Sequence, residues 1–304
     1  MGWLKKTLIG VGGVLGVAAL GLGGFVWLKA SAYDASLAKV YDIPLPKVER
    51  STDPVVLARG EHIARSLAPC ATGDCHGSDL GGGKPAEIGP IGTFAAPNIT
   101  SGGLGAAYSD AELARLLMHG VKKDGRGVRF MPVHESSWLP QQDVVAAISY
   151  VRTVPPQSKS NQGSKVGLLG KVLDQLDMLP IDNARRIDHA HVADGPPPTP
   201  DAAYGKYVAK LCTGCHGTGL SGGPIPGAPP EIAIPLNLTP DKTGLAGYSF
   251  EEFKGVLQSG KRKQDGRKLD EMMSPAWFGQ FDDTELRALY SYLMSLPPKP
   301  FGGR

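Results

Sequence analysis

An unbroken apolar stretch opens the chain, and amphipathic periods follow it. Lys5 and Lys6 precede a run from Thr7 to Leu28, and Lys29 closes it. As a helix this run spans about 33 Å, enough for a bilayer core. Gly12 and Gly16 form a G-x-x-x-G within it, a pattern that lets helices approach closely. The leading lysines place the N-terminus in the cytoplasm and the rest of the chain across the membrane. Ala30–Ser31–Ala32 has the form of a signal-cleavage site. The apolar run is longer than a typical signal core, so an uncleaved anchor is expected.

Beyond the anchor, helical periods occur in matching pairs. Ser109 with Glu112, and Ser249 with Glu252, have capping-box spacing. Leu113, Leu116 and Leu117 then share one helical face, as do Phe253, Val256 and Leu257. Final helices are predicted from about Gln142 to Val154 and from about Asp283 to Leu296, stopped by Pro155–Pro156 and Pro297–Pro298. The pairing extends to loops. Asn98–Ile99–Thr100 matches Asn237–Leu238–Thr239, Tyr108–Ser109 matches Tyr248–Ser249, and Asp124–Gly125–Arg126 matches Asp265–Gly266–Arg267. Upstream, the stretch from Gly60 to Arg65 matches that from Gly205 to Lys210. A unit of about 100 residues present twice predicts two domains rather than a solenoid. The expected organisation is an anchor or signal segment over 1–32, domains over 50–156 and 201–300, and a linker over 157–200. The linker carries helical apolar spacing from Leu168 to Leu179 and ends in a stiff Pro196–Pro197–Pro198, so it is expected to lie over the domains.

The chemistry sits at the start of each repeat. Cys212–Thr213–Gly214–Cys215–His216 is C-x-x-C-H, the c-type haem attachment signature. On a helical turn, residues three and four apart share a face, so Cys212 and Cys215 can form thioethers to one porphyrin while His216 ligates its iron. The first copy runs from Cys70 to Cys75 and His76, with four residues between the cysteines. On an ideal helix, positions five apart diverge by about 140°, so the segment 72–74 must bulge, which Gly73 permits. Three outcomes stay open there: two thioethers, one at Cys75 alone, or a Cys70–Cys75 disulfide without haem. The retained His76 and Met131 argue against the last.

A sixth ligand is suggested by the repeat. Met131 lies 12 positions before Asp143, and Met273 lies 12 before the matching Glu285. Eight positions on stand apolar Leu139 and Phe281, whereas counting from Met272 would reach polar Gln280, so Met273 is preferred. His/Met ligation raises the potential relative to two histidines. His62, His119, His134, His189 and His191 have no repeated counterpart, although His119 or His134 could stand in for Met131.

Charge narrows the function classes. The net charge of +3 is accounted for by Lys5, Lys6 and Lys29, so the remainder carries no global basic field for nucleic acid. Two local basic clusters, Lys122, Lys123, Arg126 and Arg129, and Lys261, Arg262, Lys263, Arg267 and Lys268, immediately precede the two methionines. They suit docking of an acidic redox partner or a solvated loop.

With these motifs, the chain resembles membrane-anchored bacterial dihaem cytochromes c: mostly α, with two tandem class I cytochrome c domains behind one transmembrane helix. The Asn-Leu-Thr-Pro-Asp run at 237–241 and the methionine-to-helix spacing are similar to the cytochrome subunits of membrane alcohol and sugar dehydrogenases. The resemblance implies two haem c groups and electron transfer rather than catalysis. It implies a relay on the outer, periplasmic face of the cytoplasmic membrane, between a dehydrogenase or quinol-oxidising donor and an oxidase-side acceptor. It also implies a close helix crossing, with Gly60 against Tyr150 and Gly205 against Tyr292, and a proline carbonyl accepting from each haem histidine, with Pro90 and Pro229 or Pro230 as candidates. A haem enzyme of peroxidase or sulfur-compound type, using the irregular first haem, is the competing reading. A zinc-bound structural protein would need four ligands per metal, where each repeat offers two cysteines.

Overall fold

In the computed structural model, all residues are described except 1, 73–74, 160–162, 192, 194, 227–231 and 274. Helix α1 runs Gly2–Ser36, longer than the apolar run itself. The span Lys6–Ser36 is long and apolar enough to cross a membrane and is unburied within the protein over its most apolar stretch. Burial begins only at its C-terminal end, where Ala30 and Tyr33 face the protein.

Two crossed helix pairs set the frame. In the first half, α2 (Pro54–Arg65) crosses α4 (Gln141–Val151); in the second, α6 (Ala202–Val208) crosses α10 (Asp283–Ser295). Each crossing is closed by a glycine. A Cβ on Gly60 would run into the Ala146 carbonyl and lie 2.9 Å from Tyr150 Cβ. One on Gly205 would run into the Ala288 carbonyl and lie 2.7 Å from Tyr292 Cβ. The contacts implied by the resemblance are therefore present at both places.

Helices α3 (Asp110–His119) and α8 (Phe250–Ser259) begin with the expected capping boxes and end at Gly120 and Gly260, with φ of 66° and 64°. These left-handed caps favour glycine. Helix α10 has a further box, Asp282 with Glu285. Helix α7 (Lys210–His216) carries the second cysteine motif, and α9 (Pro275–Phe278) follows the second methionine segment.

The segment after α4 packs against the first half and contributes one strand, Lys165–Val166, to a sheet that its sequence does not announce. Strands β1 (Ala86–Ile88), β2 (Gly92–Phe94) and β3 (Lys165–Val166) form an antiparallel sheet in the order β1-β2-β3. With two or three residues each, they are too short to show alternation. Helix α5 (Leu168–Gln175) then lies against α1. Ile181 joins Tyr33 and Phe94 in a small apolar cluster.

The largest core spans both halves. Ile63, Leu67, Leu139, Val144 and Ile148 share it with Tyr204, Val208, Leu286, Leu289 and Leu293. The halves are thus packed through apolar side chains, the dominant source of stabilisation.

Candidate functional site

The second cysteine motif is helical throughout. Only Ala209 separates α6 from α7, and Cys212, Cys215 and His216 all lie within α7. His216 is buried, and its Nδ1 lies 2.6 Å from the Leu236 carbonyl. The carbonyl can only accept, so Nδ1 carries the proton and Nε2 keeps its lone pair. Burial lowers the pKa of the ring, holding it neutral. Burial also pushes the Cys212 thiol up to about 12, with Cys215 adding to the effect. No cysteine is in a disulfide among the described residues.

In the first half the described residues of the motif are not helical. From Arg65 to His76 there are eleven positions, against six from Lys210 to His216, and the insertion contains Pro69. Proline removes a backbone donor and disfavours helix at Ala68. Turns replace it: Cys75 N donates to the Thr72 carbonyl and His76 N to the Cys70 carbonyl, at 3.3 and 3.0 Å. The expected bulge at Gly73 falls on residues outside the described set. His76 nonetheless repeats the histidine geometry. It is buried, its Nδ1 lies 2.7 Å from the Pro97 carbonyl, and burial lowers its pKa. The Cys70 thiol, pushed up to about 12 by burial and then by Cys75, lies 3.7 Å from the Ala64 carbonyl.

The expected carbonyl acceptors need correcting. Pro97 takes the place of Pro90, and Leu236 that of Pro229 or Pro230, which lie outside the described residues. Both true acceptors immediately precede the asparagine of the repeated Asn-x-Thr. That asparagine organises the loop identically in each half. Asn98 Oδ1 accepts from Thr100 N and Oγ1 at 3.0 and 2.6 Å, while its Nδ2 donates to the Gln157 carbonyl. Asn237 Oδ1 accepts from Thr239 N and Oγ1 at 2.9 and 2.8 Å, while its Nδ2 donates to the Lys299 carbonyl. In sequence each acceptor stands one residue upstream of that landmark. Four residues beyond each histidine, Leu80 and Leu220 are buried with φ of 57°, a costly conformation that recurs at the same place.

The methionines differ in their surroundings. Met273 ends the short 3-10 turn Glu271–Met273 and packs against the core that also takes Cys212 and Leu238. The Met272 side chain lies outside the described set. Met131 is half-buried in a loop held by Asn183, whose Nδ2 donates to the Met131 carbonyl at 3.0 Å. Among the described residues, the apolar packing around Cys70 (Ala64, Ala71, Leu80 and Val151) does not include Met131. Phe130, with φ of 65°, stacks on Phe94 at 3.9 Å and so fixes the approach to Met131.

The remaining histidines have roles of their own. His119 and His189 face each other, Nδ1 to Nδ1, at 3.3 Å. His134 Nδ1 lies 3.1 Å from Asn183 Oδ1. His62 meets Glu285 across the two halves. With Asp282, those two make the grouping of possible metal-ligating side chains among the described residues, and it includes no cysteine. Part of each basic cluster is paired locally: Lys122 with Asp124, Lys263 with Glu252, and Arg262 and Arg267 with Asp265, three carboxylates against nine cations.

Neutral histidines with backbone-held Nδ1 and available Nε2, each beside cysteine sulfurs, fit the ligand chemistry of a covalently bound haem. Comparison with known proteins agrees for the second half. Residues 202–297 match the cytochrome c family model, so this half is a cytochrome c domain. Among relatives, the cytochrome c subunit of alcohol dehydrogenase (quinone) from Gluconobacter oxydans (strain 621H) is 37% identical over 99 residues, 30% of this chain and 20% of the relative. Its counterpart from Gluconacetobacter polyoxogenes is 27% identical over 282 residues, 82% of this chain and 57% of the relative, and so extends well beyond the second half. The gluconate 2-dehydrogenase cytochrome c subunit of Pantoea cypripedii is 32% identical over 99 residues, 30% of this chain and 22% of the relative. The chain spans between about a fifth and 57% of the length of these relatives. All three bear the name of a cytochrome c subunit of a dehydrogenase.

Proposed function

We propose that this protein is a dihaem c-type electron carrier, held to the cytoplasmic membrane by α1 with both haem domains on the periplasmic face. It relays electrons from a membrane dehydrogenase or quinol-oxidising complex toward an oxidase-side acceptor. The observation that carries this reading is the recurrence of one histidine lock in both halves: Nδ1 on a backbone carbonyl at 2.7 Å for His76 and 2.6 Å for His216, each immediately after a cysteine.

In this reading Cys70, Cys75, Cys212 and Cys215 supply the thioethers. His76 and Met131 would hold the first iron, and His216 and Met273 the second. The bound haems supply one-electron Fe(III)/Fe(II) chemistry. The protein's own part is positioning: the carbonyl of Pro97 or Leu236 orients each imidazole and raises its basicity. A histidine and a methionine held at each iron would leave no position for a substrate, which separates a carrier from a peroxidase. The shared core between the halves supports transfer within one chain.

The test is haem c per chain, by alkaline pyridine haemochrome on protein matured with the haem-attachment machinery. Two haems with the normal α-band support thioethers at all four cysteines. Two haems with a red-shifted component mean a single thioether at Cys75. One haem means that the first domain is empty and the relay fails. Rapid, complete carbon monoxide binding by the reduced protein at both haems would also sink the carrier reading.

A further inference from the structure

The end of α1 that enters the protein also fixes what lies at the bilayer surface. From Lys6 to Phe25 the helix is exposed along its whole length; burial sets in with Val26, Lys29, Ala30 and Tyr33. Trp27 and Leu28, both exposed, stand at this boundary, and Trp3 stands near the other end. Tryptophans at both ends of an apolar run are what membrane interfaces favour.

Helix α5 is antiparallel to this part of α1. Lys171 Nζ pairs with Asp34 at 2.8 Å, whereas Lys29 Nζ reaches the Gln175 carbonyl at 3.4 Å. The C-terminal end of α5 therefore points back toward the apolar span. The chain then reverses at Asp177, with φ of 57°, which leaves Leu176 and Met178 exposed at 40% and 44% beside Lys29.

This turn is rigidly built. Asp174 is fully buried and accepts from Ile181 N and Asp182 N, both at 2.9 Å. Arg185 and Arg186 each bridge Asp174 to Asp177. Arg185 and Arg186 pair with Asp177, at the tip, on its protein side, while Asp182, buried behind them, is a third acid. An apolar tip continuous with the anchor, over acids paired by arginines, suits the headgroup–acyl boundary.

We propose that the turn 176–178 is a second membrane contact, with Leu176 and Met178 inserted among lipids beside Lys29 and Trp27. One helix alone leaves a domain able to swivel. A second contact sets the orientation of the sheet and of the Met131 loop relative to the bilayer, because Asp182 and Asn183, just beyond the turn, hold the Arg129–Met131 segment.

This inference rests on α1 spanning the membrane, and its test separates the two claims. Full-length, haem-loaded protein is placed in phosphatidylcholine–phosphatidylglycerol nanodiscs. Single cysteines are introduced by Met178→Cys, Leu176→Cys, Leu15→Cys and Lys242→Cys and are spin-labelled, with the wild-type protein as the labelling blank. Power saturation with oxygen and with a water-soluble nickel chelate then reads depth. The expected result is oxygen-dominated relaxation at 176 and 178, intermediate between lipid-like 15 and aqueous 242. Nickel accessibility at 176 and 178 equal to that at 242 overturns the second contact alone. Protection from both reagents also overturns it, since the turn would then be covered by protein. An aqueous reading at 15 overturns the anchor and the contact with it.

Discussion

His62 Nε2 lies 2.8 Å from both carboxylate oxygens of Glu285, a residue 223 positions further along the chain. The pair belongs to a network at the junction of the two halves with an approximate two-fold pattern. Asp143 accepts from Arg59 of its own half and from Tyr207 of the other, each closest approach being 2.8 and 2.7 Å. Glu285 accepts from Tyr204 of its own half and from His62 of the other. In the repeat, Arg59 is equivalent to Tyr204, His62 to Tyr207 and Asp143 to Glu285. The same positions have thus kept a donor-on-carboxylate arrangement while changing the donors.

That junction makes stability pH-dependent. Burial lowers the His62 pKa, but the Glu285 hydrogen bond and charge outweigh it, with Asp282 adding to them and Arg59 opposing; the net shift is upward from 6.5. A histidine whose folded pKa is raised contributes fully below its unfolded value and loses that contribution as pH rises through the folded value. The stability difference between wild type and His62→Gln, from urea midpoints, should therefore be largest below the unfolded value of 6.5 and shrink as pH rises above it. At the acid end the expected loss is about 1–3 kcal/mol, because Glu285 loses a charged partner. A difference that is flat with pH would show that the pair does not bind the proton on folding.

The helix crossings tolerate no side chain. Gly60→Ala and Gly205→Ala each drive a Cβ into the carbonyl of the facing helix, at Ala146 or Ala288. A backbone obstacle cannot rotate away, so the helices must separate and the shared core opens. The expected cost is at least the ~1–3 kcal/mol typical of overpacking, seen as a fall in thermal midpoint for both variants. Gly255→Ala on α8, where an added Cβ meets nothing within 4 Å, serves as the control and should be neutral or stabilising.

Much of this frame was legible in the chain because it is carried by local rules. The two S-x-x-E caps and the repeated glycine–tyrosine spacing each specify a helix end or a crossing, and both are present; α10 stops at Ser295 ahead of Pro297, whereas α4 already ends at Val151, well before Pro155. The cysteine–histidine motifs were legible as chemistry. What stayed hidden depended on contacts distant in sequence. The histidine acceptors Pro97 and Leu236 lie 21 and 20 residues from their partners and act through a carbonyl, which every residue has. The junction network joins six residues from four helices, and its contacts cross between helices far apart in sequence. The strands β1 to β3 are shorter than the alternation that would reveal them.

The Asn-x-Thr turn holds each acceptor carbonyl in place, so its loss should act at a distance from the ring. Asn98 and Asn237 are both buried, and each also ties down the chain beyond the last helix, at Gln157 or Lys299. Asn237→Ala leaves the Thr239 amide and the Lys299 carbonyl short of partners, at about 1–3 kcal/mol for the buried groups. Asn98→Ala should cost a similar amount. In loaded protein each substitution should also shift the potential of one haem only, through the loosened histidine. Two haems shifting equally in a spectroelectrochemical titration would contradict the assignment of one Asn-x-Thr turn to each site.

The proposed methionine ligands can be separated by replacing each with a stronger donor. If Met273 ligates the second iron, Met273→His should lower the potential of that haem and leave the other near its original value, because imidazole stabilises Fe(III) relative to a thioether. Met131→His should do the same at the first haem. Axial ligands set haem potentials across roughly 0.8 V, so the change should be large against the spread of surface-charge effects. Met273 shares its core with Cys212, whereas Met131 is absent from the apolar packing around Cys70 among the described residues. The two sites therefore make different demands. At Met273 the substitution acts in a preformed setting, so a shifted potential should appear with little loss of stability. At Met131 ligation requires the loop held by Asn183 to close on the haem, so Asn183→Ala should weaken the methionine-to-iron absorption band of the first haem alone. A first haem whose spectrum and potential ignore both Met131→His and Asn183→Ala would assign its sixth ligand elsewhere, with His119 and His134 the next residues to replace.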